Sequence, residues 1–264
     1  MIFKMNTNQS YLSELLNFAV ETVHAAGRLT LAYFQTGIQP EFKKDDSPVT
    51  IADRKAEELI RARIEKKYPR HAIVGEEHGD KPVDGATHRW FIDPIDGTKS
   101  FIRGVPLYAV LLGLEIEGKS QIGAVYFPAL DEMIYAASGL GCFCNGRRTQ
   151  VCQTESLAKS FVSFTEAASF EKFGKFDAWQ RLIKKCYYSP GWSDAYGHAL
   201  VATGRLEIML DPIMNPWDCG PFPVILREAG GYFGDWRGNE TIYAKEALST
   251  TQRLLPEVLK ILNE

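Results

Sequence analysis

The chain has 264 residues, enough to bury the core of one large domain or of two small, closely packed lobes. Its composition, 45% hydrophobic and 24% charged, excludes a largely disordered chain, and no apolar run approaches the about 20 residues that a membrane-spanning helix needs. The formal net charge of -3 gives no basic surface for a nucleic-acid backbone. We therefore expect neither a nucleic-acid partner nor a membrane partner.

Helices dominate the first part of the chain. Apolar residues recur at helical spacing over residues 11–34, and Gly37 follows as a stop signal. A second helix should begin after Thr50, which is a suitable N-cap, and end at Pro69. This helix places Asp53 in its first turn.

Strands are predicted for the middle of the chain. Two short ones, at 72–74 and 90–93, are each followed at once by acidic residues. Two longer strands flank Glu117, and another at 133–137 continues an antiparallel run.

Helices and strands are both predicted in the remainder of the chain. Strands are predicted at 161–164 and 206–210, and helices at 170–186, 194–203, 217–229 and 256–262. This order favours an α+β lobe over residues 1–150 followed by an α/β lobe over 151–264, packed as one unit.

The N-terminal residues and the cysteines indicate a cytoplasmic protein. Residues 1–10 lack the apolar core and cleavage site of a secretory signal, and five scattered cysteines do not suit a disulfide framework. Cys142 and Cys144 could be half of a metal site, although Cys-x-Cys in a strand more often places two small side chains on one face.

Two aspartates, Asp93 and Asp96, end the predicted strand at 90–93. Pro94 bars helical backbone at Asp93, so the chain should bend and aim both carboxylates and the Ile95 carbonyl at one point. Oxygen ligands of this kind suit Mg²⁺. The alternative is that the aspartates cap a turn and the next helix.

Further acidic residues lie at the ends of other elements. Glu76 follows a strand, Asp53 opens a helix, and Asp218 lies near the start of another. Each alone could be a cap or a surface charge. Their convergence would require a positive charge to offset the repulsion.

Gly97 and Thr98 add a predicted anion site. A glycine before a helix lets the backbone approach a ligand closely, and free N–H groups at a helix start attract phosphate. Thr98 supplies a hydroxyl that could orient a water. Carboxylates, metal and an anion site on one loop indicate hydrolysis of a phosphate ester by metal-activated water.

Four motifs resemble the inositol monophosphatase-like family of Mg²⁺-dependent, lithium-sensitive phosphatases. They are, in chain order, SPVTIAD, VGEE, WFIDPIDGTKSF and WDCGPFPVILREAGG. The resemblance covers residues 12–229. It implies an α+β fold of the layered αβαβα sandwich type, usually as a homodimer.

The resemblance also implies the roles of the site residues. Asp93 would bridge two Mg²⁺ ions. A third ion would bind more weakly, so the site would hold two to three ions. The metal ligands would be Glu76, Asp93, Ile95 through its carbonyl, Asp96, Asp218 and Asp53. The catalytic residues would be Glu76 and Thr98, which hold the attacking water, and Asp53. The phosphate would contact the backbone of Gly97 and Thr98.

Two segments resemble the histidinol-phosphate phosphatase branch of this family. They are DPIDGTKSFIRGVPLY, where inositol phosphatases more often have TTNF after the glycine, and DAYGHALVATGR. The implied substrate is L-histidinol phosphate. The alternatives are an inositol-1-monophosphatase, a 3'(2'),5'-bisphosphate nucleotidase, and, in a different class, a catalytically inactive metal-binding regulator.

Four residues lie where the family contacts the organic part of the substrate: Ser193, Asp194, Asp211 and Asn215. Acidic groups there would suit a cationic amino alcohol, although each residue could instead be a helix cap. The chain departs from the family pattern after Asp218, where Pro221 and Pro223 do not both suit a regular helix. We therefore expect an irregular or later start to the helix at 217–229.

Overall fold

The computed structural model describes residues 7–264. Residues 1–6 belong to the segment in which no secretory signal is predicted, and they lie outside the described residues. The helices α1 to α9 are Thr7–Leu31, Ile51–Lys67, Thr98–Ile102, Ala167–Lys172, Phe176–Ile183, Asp194–Ala202, Pro216–Cys219, Phe222–Glu228 and Leu255–Leu262. The strands β1 to β14 are Glu41–Phe42, Pro48–Val49, Ala72–Gly75, Gly79–Lys81, His88–Asp96, Ala109–Ile116, Lys119–Phe127, Glu132–Ala137, Gly141–Cys144, Arg147–Arg148, Val162–Phe164, Ile208–Asp211, Gly231–Gly234 and Ala247–Thr251. Within the described part, no helix combines the length and the hydropathy that a membrane span requires.

Two large sheets organise the fold. The first has eight strands in the order β10-β9-β8-β7-β6-β5-β3-β4, of which β3 and β5 are parallel neighbours. The second has four strands in the order β11-β12-β14-β13. The eight-stranded sheet uses strands that precede residue 150 and the four-stranded sheet uses strands that follow it; the division into two lobes stays a prediction.

Helices cover the sheets in layers. One apolar core joins α1 and α2 to the eight-stranded sheet, a second lies between the two sheets with α6 and α8, and a third joins the four-stranded sheet to α4, α5 and α9. Strand β6 contributes to two cores, because Val110 and Leu112 belong to the core with α1 while Leu111, on the other face, belongs to the core between the two sheets. The sequence of a strand that is buried on both faces is a nearly continuous apolar run. The α+β class and the layered αβαβα sandwich are confirmed.

Two predicted helices are divided in the structure. The helix predicted at 170–186 is wrong as a single element, because the chain turns between α4 and α5 at Gly174, whose φ of 68° suits glycine. The helix predicted at 217–229 is divided between α7 and α8 at Gly220 and Pro221, which agrees with the irregular start expected from the prolines.

Close backbone contact fixes the junction between α7 and α8. Gly113 and Gly123 are cross-strand partners in β6 and β7. A Cβ atom on Gly113 would lie 2.3 Å from the Gly220 carbonyl carbon, and one on Gly123 would lie 2.3 Å from the Pro221 carbonyl oxygen. Only glycine permits this approach, which holds α7, and with it Asp218, against the larger sheet.

Candidate active site

Three carboxylates meet between the end of β5 and α7. Asp93 and Asp96 lie on either side of a bulge that shifts the register between β5 and β6, and Asp218 lies in α7. One carboxylate oxygen from each of the three lies within 4.8 Å of the others. Asp93 is 2% exposed and Asp96 is 9% exposed. A bulge redirects neighbouring side chains, which explains how two residues of one strand turn to the same point.

Burial raises the pKa of each of these carboxyl groups. For Asp93 the charges of Glu76, Asp96 and Asp218 raise the pKa further. For Asp96 the next contributions come from Asp194 and Asp218. The pKa of Asp218 rises to about 7, although the backbone N–H of Asn215, 2.7 Å from Asp218 Oδ2, favours the charged form. A cation between these groups would hold them ionised.

The donor set suits Mg²⁺. Within the described part of the chain, the cluster of Asp93, Asp96 and Asp218 contains carboxylate ligands and is joined by no histidine or cysteine. Hard divalent cations prefer such oxygen ligands, whereas nitrogen and sulfur ligands would favour zinc.

Glu76 lies directly after β3 and is paired with Lys43. The Lys43 Nζ atom lies 2.8 Å from Glu76 Oε1 and 2.7 Å from Glu77 Oε1. Burial disfavours the charged ammonium, but the two carboxylates outweigh this effect and raise the pKa of Lys43. Burial raises the pKa of Glu77 to about 7, against the opposing effect of Lys43. No sequence pattern selects Lys43, which lies in a polar connection between β1 and β2.

Asp53 lies behind the cavity rather than in it. Its Oδ2 atom accepts hydrogen bonds from the backbone and the hydroxyl of Thr50, at 2.8 and 2.5 Å, in a capping box at the start of α2. Its Oδ1 atom accepts from Thr98 Oγ1 at 3.3 Å. Burial raises the pKa of Asp53 to about 6, while the Thr50 donors oppose the change. The structure thus connects Asp53 to the cavity through Thr98.

The Thr98 hydroxyl joins three parts of the site. It lies 3.0 Å from the Ile95 carbonyl oxygen as well as near Asp53. Gly97, which precedes it, has a φ of 80° and approaches Asp194 closely enough that an added Cβ would lie 3.1 Å from Asp194 Oδ2. A hydroxyl has one proton to donate, so the Thr98 oxygen can still accept a hydrogen bond from a water in the cavity.

One cavity of about 250 Å³ collects most of the predicted site residues. Those that line it are Glu76, Asp93, Ile95, Asp96, Gly97, Thr98, Asp194, Asp211, Asn215 and Asp218. Ser193 instead lines an adjoining cavity. Lys99, Thr165 and Glu166 also line the first cavity and were not predicted.

Helix α6 and strand β12 place two acidic groups beside the cluster. The backbone N–H of Ala195, in the first turn of α6, donates to Asp96 Oδ2 at 2.7 Å. Burial raises the pKa of Asp194 to about 6, and the charge of Asp211 raises it further, while a hydrogen bond with Ser193 opposes the change. Asp211 is 2% exposed, and its Oδ1 atom accepts from the Thr165 N–H at 3.2 Å.

Asn215 has a capping role in addition to its place in the cavity wall. It is the N-cap of α7, and it forms a capping box with Asp218. For this residue the alternative predicted from the sequence, a helix cap, describes the geometry.

Comparison with known proteins finds relatives over most of the chain. The model of the inositol monophosphatase family matches residues 11–264. A histidinol-phosphatase of Chlorobaculum parvum is 46% identical over 234 residues, 88% of this chain and 90% of its own. A fructose-1,6-bisphosphatase/inositol-1-monophosphatase of Aquifex aeolicus is 36% identical over 73% of this chain and 74% of its own. The crystal structure of the extragenic suppressor protein suhB from Bartonella henselae has a TM-score of 0.88 at 26% identity, covering 95% of this chain and 99% of that chain. The chain belongs to the inositol monophosphatase family.

Proposed function

We propose that this protein is a Mg²⁺-dependent phosphatase that hydrolyses L-histidinol phosphate to L-histidinol and phosphate. The observation that carries the phosphatase proposal is the convergence of Asp93, Asp96 and Asp218 within 4.8 Å beside the Thr98 hydroxyl. The relative at 46% identity, a histidinol-phosphatase, supports the choice of substrate.

The proposed metal ligands are Glu76, Asp93, the Ile95 carbonyl, Asp96 and Asp218, with Asp53 and Glu76 at a weaker third position. Asp93 would be shared between two ions, because the charges of Glu76, Asp96 and Asp218 all act on it. When bound, Mg²⁺ lowers the pKa of a coordinated water and neutralises charge on the phosphate oxygens.

Thr98 and Glu76 are proposed to orient the attacking water. The Thr98 proton is directed to Asp53 or to the Ile95 carbonyl, so the water donates one hydrogen bond to the Thr98 oxygen. Glu76 accepts the second, and the free lone pair of the water then faces the phosphorus. The phosphate is proposed to contact the backbone of Gly97 and Thr98.

The acidic wall beside the metal cluster suits a cationic substrate. Asp194, Asp211 and Glu166 line the same cavity, and Lys99 Nζ lies 3.7 Å from Glu166 Oε2 at its exposed rim. An ammonium or imidazolium group would offset the charge of these carboxylates, whereas inositol phosphate has no positive group to place there. Ser193 and Asn215 are proposed as further contacts to the organic part.

A phosphate-release screen tests the substrate. It compares histidinol phosphate, inositol 1-phosphate and adenosine 3',5'-bisphosphate at matched Mg²⁺. We expect the highest kcat/KM for histidinol phosphate. A large preference for either of the other two would overturn the substrate assignment and leave the phosphatase proposal in place.

The substitution Asp93→Asn tests the metal cluster. We expect turnover to fall by more than about 100-fold, because a bound ion stabilises the charge of the transition state by several kcal/mol. The circular dichroism spectrum should stay unchanged, since an amide relieves repulsion in a buried acidic cluster. Substantial Mg²⁺-dependent activity in this variant would exclude the bridging role.

A further inference from the structure

His198 is buried directly behind the cavity and is absent from the proposed chemistry. It lies in α6, is 0% exposed, and its Nε2 atom is 3.1 Å from Asp211 Oδ2. On its other side, Nδ1 lies 2.7 Å from Ser249 Oγ in β14. The rings of Phe222 and Phe233 complete its surroundings, with centroids 5.0 and 5.4 Å from that of the imidazole.

The neighbours of His198 determine where its proton lies. An ionised carboxylate only accepts hydrogen bonds, so contact with Asp211 requires the proton on Nε2. Nδ1 can then accept the hydroxyl proton of Ser249. Ser249 then donates a hydrogen bond to His198, and His198 donates one to Asp211, so both hydrogen bonds are donated toward the cavity.

The helix aligns this chain of hydrogen bonds with the substrate wall. Asp194 begins α6, and His198 lies about one turn further along the same helix. The same helix donates the Ala195 N–H to Asp96. Asp211 thus lies between the end of α6 that touches the metal cluster and a histidine one turn further along.

We propose that His198 is a positioning residue that fixes the Asp211 carboxylate for recognition of the cationic end of the substrate. With the Thr165 N–H on Oδ1 and His198 on Oδ2, donors to both oxygens set the plane of the carboxylate and stabilise its charge beside Asp194. Its remaining lone pairs stay available to a substrate cation. This inference rests on the proposed function, because it assigns Asp211 to substrate binding.

Substitutions at His198 separate positioning from packing. His198→Gln keeps a donor near the Nε2 position, His198→Asn carries the same amide on a shorter side chain that does not reach it, and His198→Phe keeps the ring and removes the donor. We measure kcat and KM for histidinol phosphate and for phenyl phosphate, which has no cationic group. We expect His198→Asn and His198→Phe to raise KM for histidinol phosphate about 10-fold, as for the loss of a charge-assisted hydrogen bond, and to change the phenyl phosphate constants less than about 3-fold.

The expected rescue is specific to the glutamine variant. His198→Gln should keep a KM for histidinol phosphate within about 3-fold of the original protein. Equal losses on both substrates, or a glutamine variant no better than the asparagine variant, would overturn the proposal. If His198→Phe does not fold, the Gln and Asn pair still decides.

A spectroscopic measurement on the unsubstituted protein tests the proton position without any activity. Long-range ¹H–¹⁵N correlation spectra of the imidazole should show a proton on Nε2, and an unprotonated Nε2 would overturn the proposal. Should the protein show no preference for histidinol phosphate over inositol 1-phosphate, the proposed substrate fails on that result. The proton on Nε2 then still decides whether His198 holds Asp211.

Discussion

Opposing effects act on the pKa of the Asp218 carboxyl group. Burial and the charge of Glu76 disfavour its carboxylate, while Asn215 stabilises it, and the net pKa is about 7 against 3.8 for an ordinary aspartate. The folded, metal-free chain therefore keeps a proton that the unfolded chain has lost. This contribution to the free energy of unfolding is fully present below pH 3.8 and is lost as the pH rises through about 7.

The first prediction concerns the pH dependence of the metal-free protein. In EDTA, the Tm measured by differential scanning fluorimetry should fall as the pH rises from about 5 to about 8, because Asp93, Asp96 and Asp218 all have raised pKa values. Asp218→Asn should reduce the slope, since an amide does not ionise. A Tm that rises over this interval in EDTA would contradict the prediction.

At the residue scale, the sequence indicated the acidic cluster but not the groups that support it. Asp93 and Asp96 were recognisable because two carboxylates flank Pro94 and Ile95 at the end of a strand, and a single helix cap requires only one. Lys43 and His198 carry no such signal: a lysine in a polar loop is usually solvated, and a histidine on an apolar helix face is usually a core residue. Their roles depend on contacts across 33 and 13 positions of the chain.

At the element scale, the contact between β6 and the α7–α8 junction leads to a second prediction. Gly113→Ala would place a methyl group 2.3 Å from backbone atoms of Gly220, which cannot rotate away. We expect a loss of about 1–3 kcal/mol in the free energy of unfolding, measured by urea denaturation. Activity should fall too, because α7 carries Asp218.

Gly191→Ala is a matched control for that substitution. A Cβ atom at Gly191 meets no atom closer than 3.7 Å, which is ordinary van der Waals contact. The control should stay within about 0.5 kcal/mol of the original protein. Equal stability of the Gly113 and Gly191 variants would show that the junction tolerates displacement.

Some helix and strand predictions differ from the structure because the local sequence pattern favours a different element from the one that the tertiary contacts stabilise. Apolar spacing continues through 170–186, yet Gly174 adopts a left-handed conformation and separates α4 from α5. Strands β13 and β14 were not predicted, since their sequences GYFG and ALSTT are short and rich in small residues. Both lie in the four-stranded sheet, where cross-strand pairing outweighs intrinsic propensity.

At the scale of the whole molecule, Mg²⁺ should stabilise the fold. A ligand that binds only the folded state at 100 times its Kd adds about 2.7 kcal/mol to the free energy of unfolding. We expect Mg²⁺ to raise the Tm in a thermal shift assay and EDTA to reverse the rise. Asp93→Asn is the control, and a Mg²⁺-dependent shift of undiminished size in that variant would place the ion elsewhere.

The homodimer expected from the family resemblance stays a prediction at this scale. Sedimentation velocity at several protein concentrations measures it directly. A species with the mass of one 29.6 kDa chain at every concentration would contradict it.

The clustered carboxylates come from distant parts of the chain. Asp93 and Asp96 end a strand of the eight-stranded sheet, whereas Asp218 lies in α7, which follows β12 of the four-stranded sheet. Neither a fragment ending at residue 150 nor its complement would contain all three. A substitution that separates the two sheets should therefore lower turnover, because it moves Asp218 away from Asp93 and Asp96.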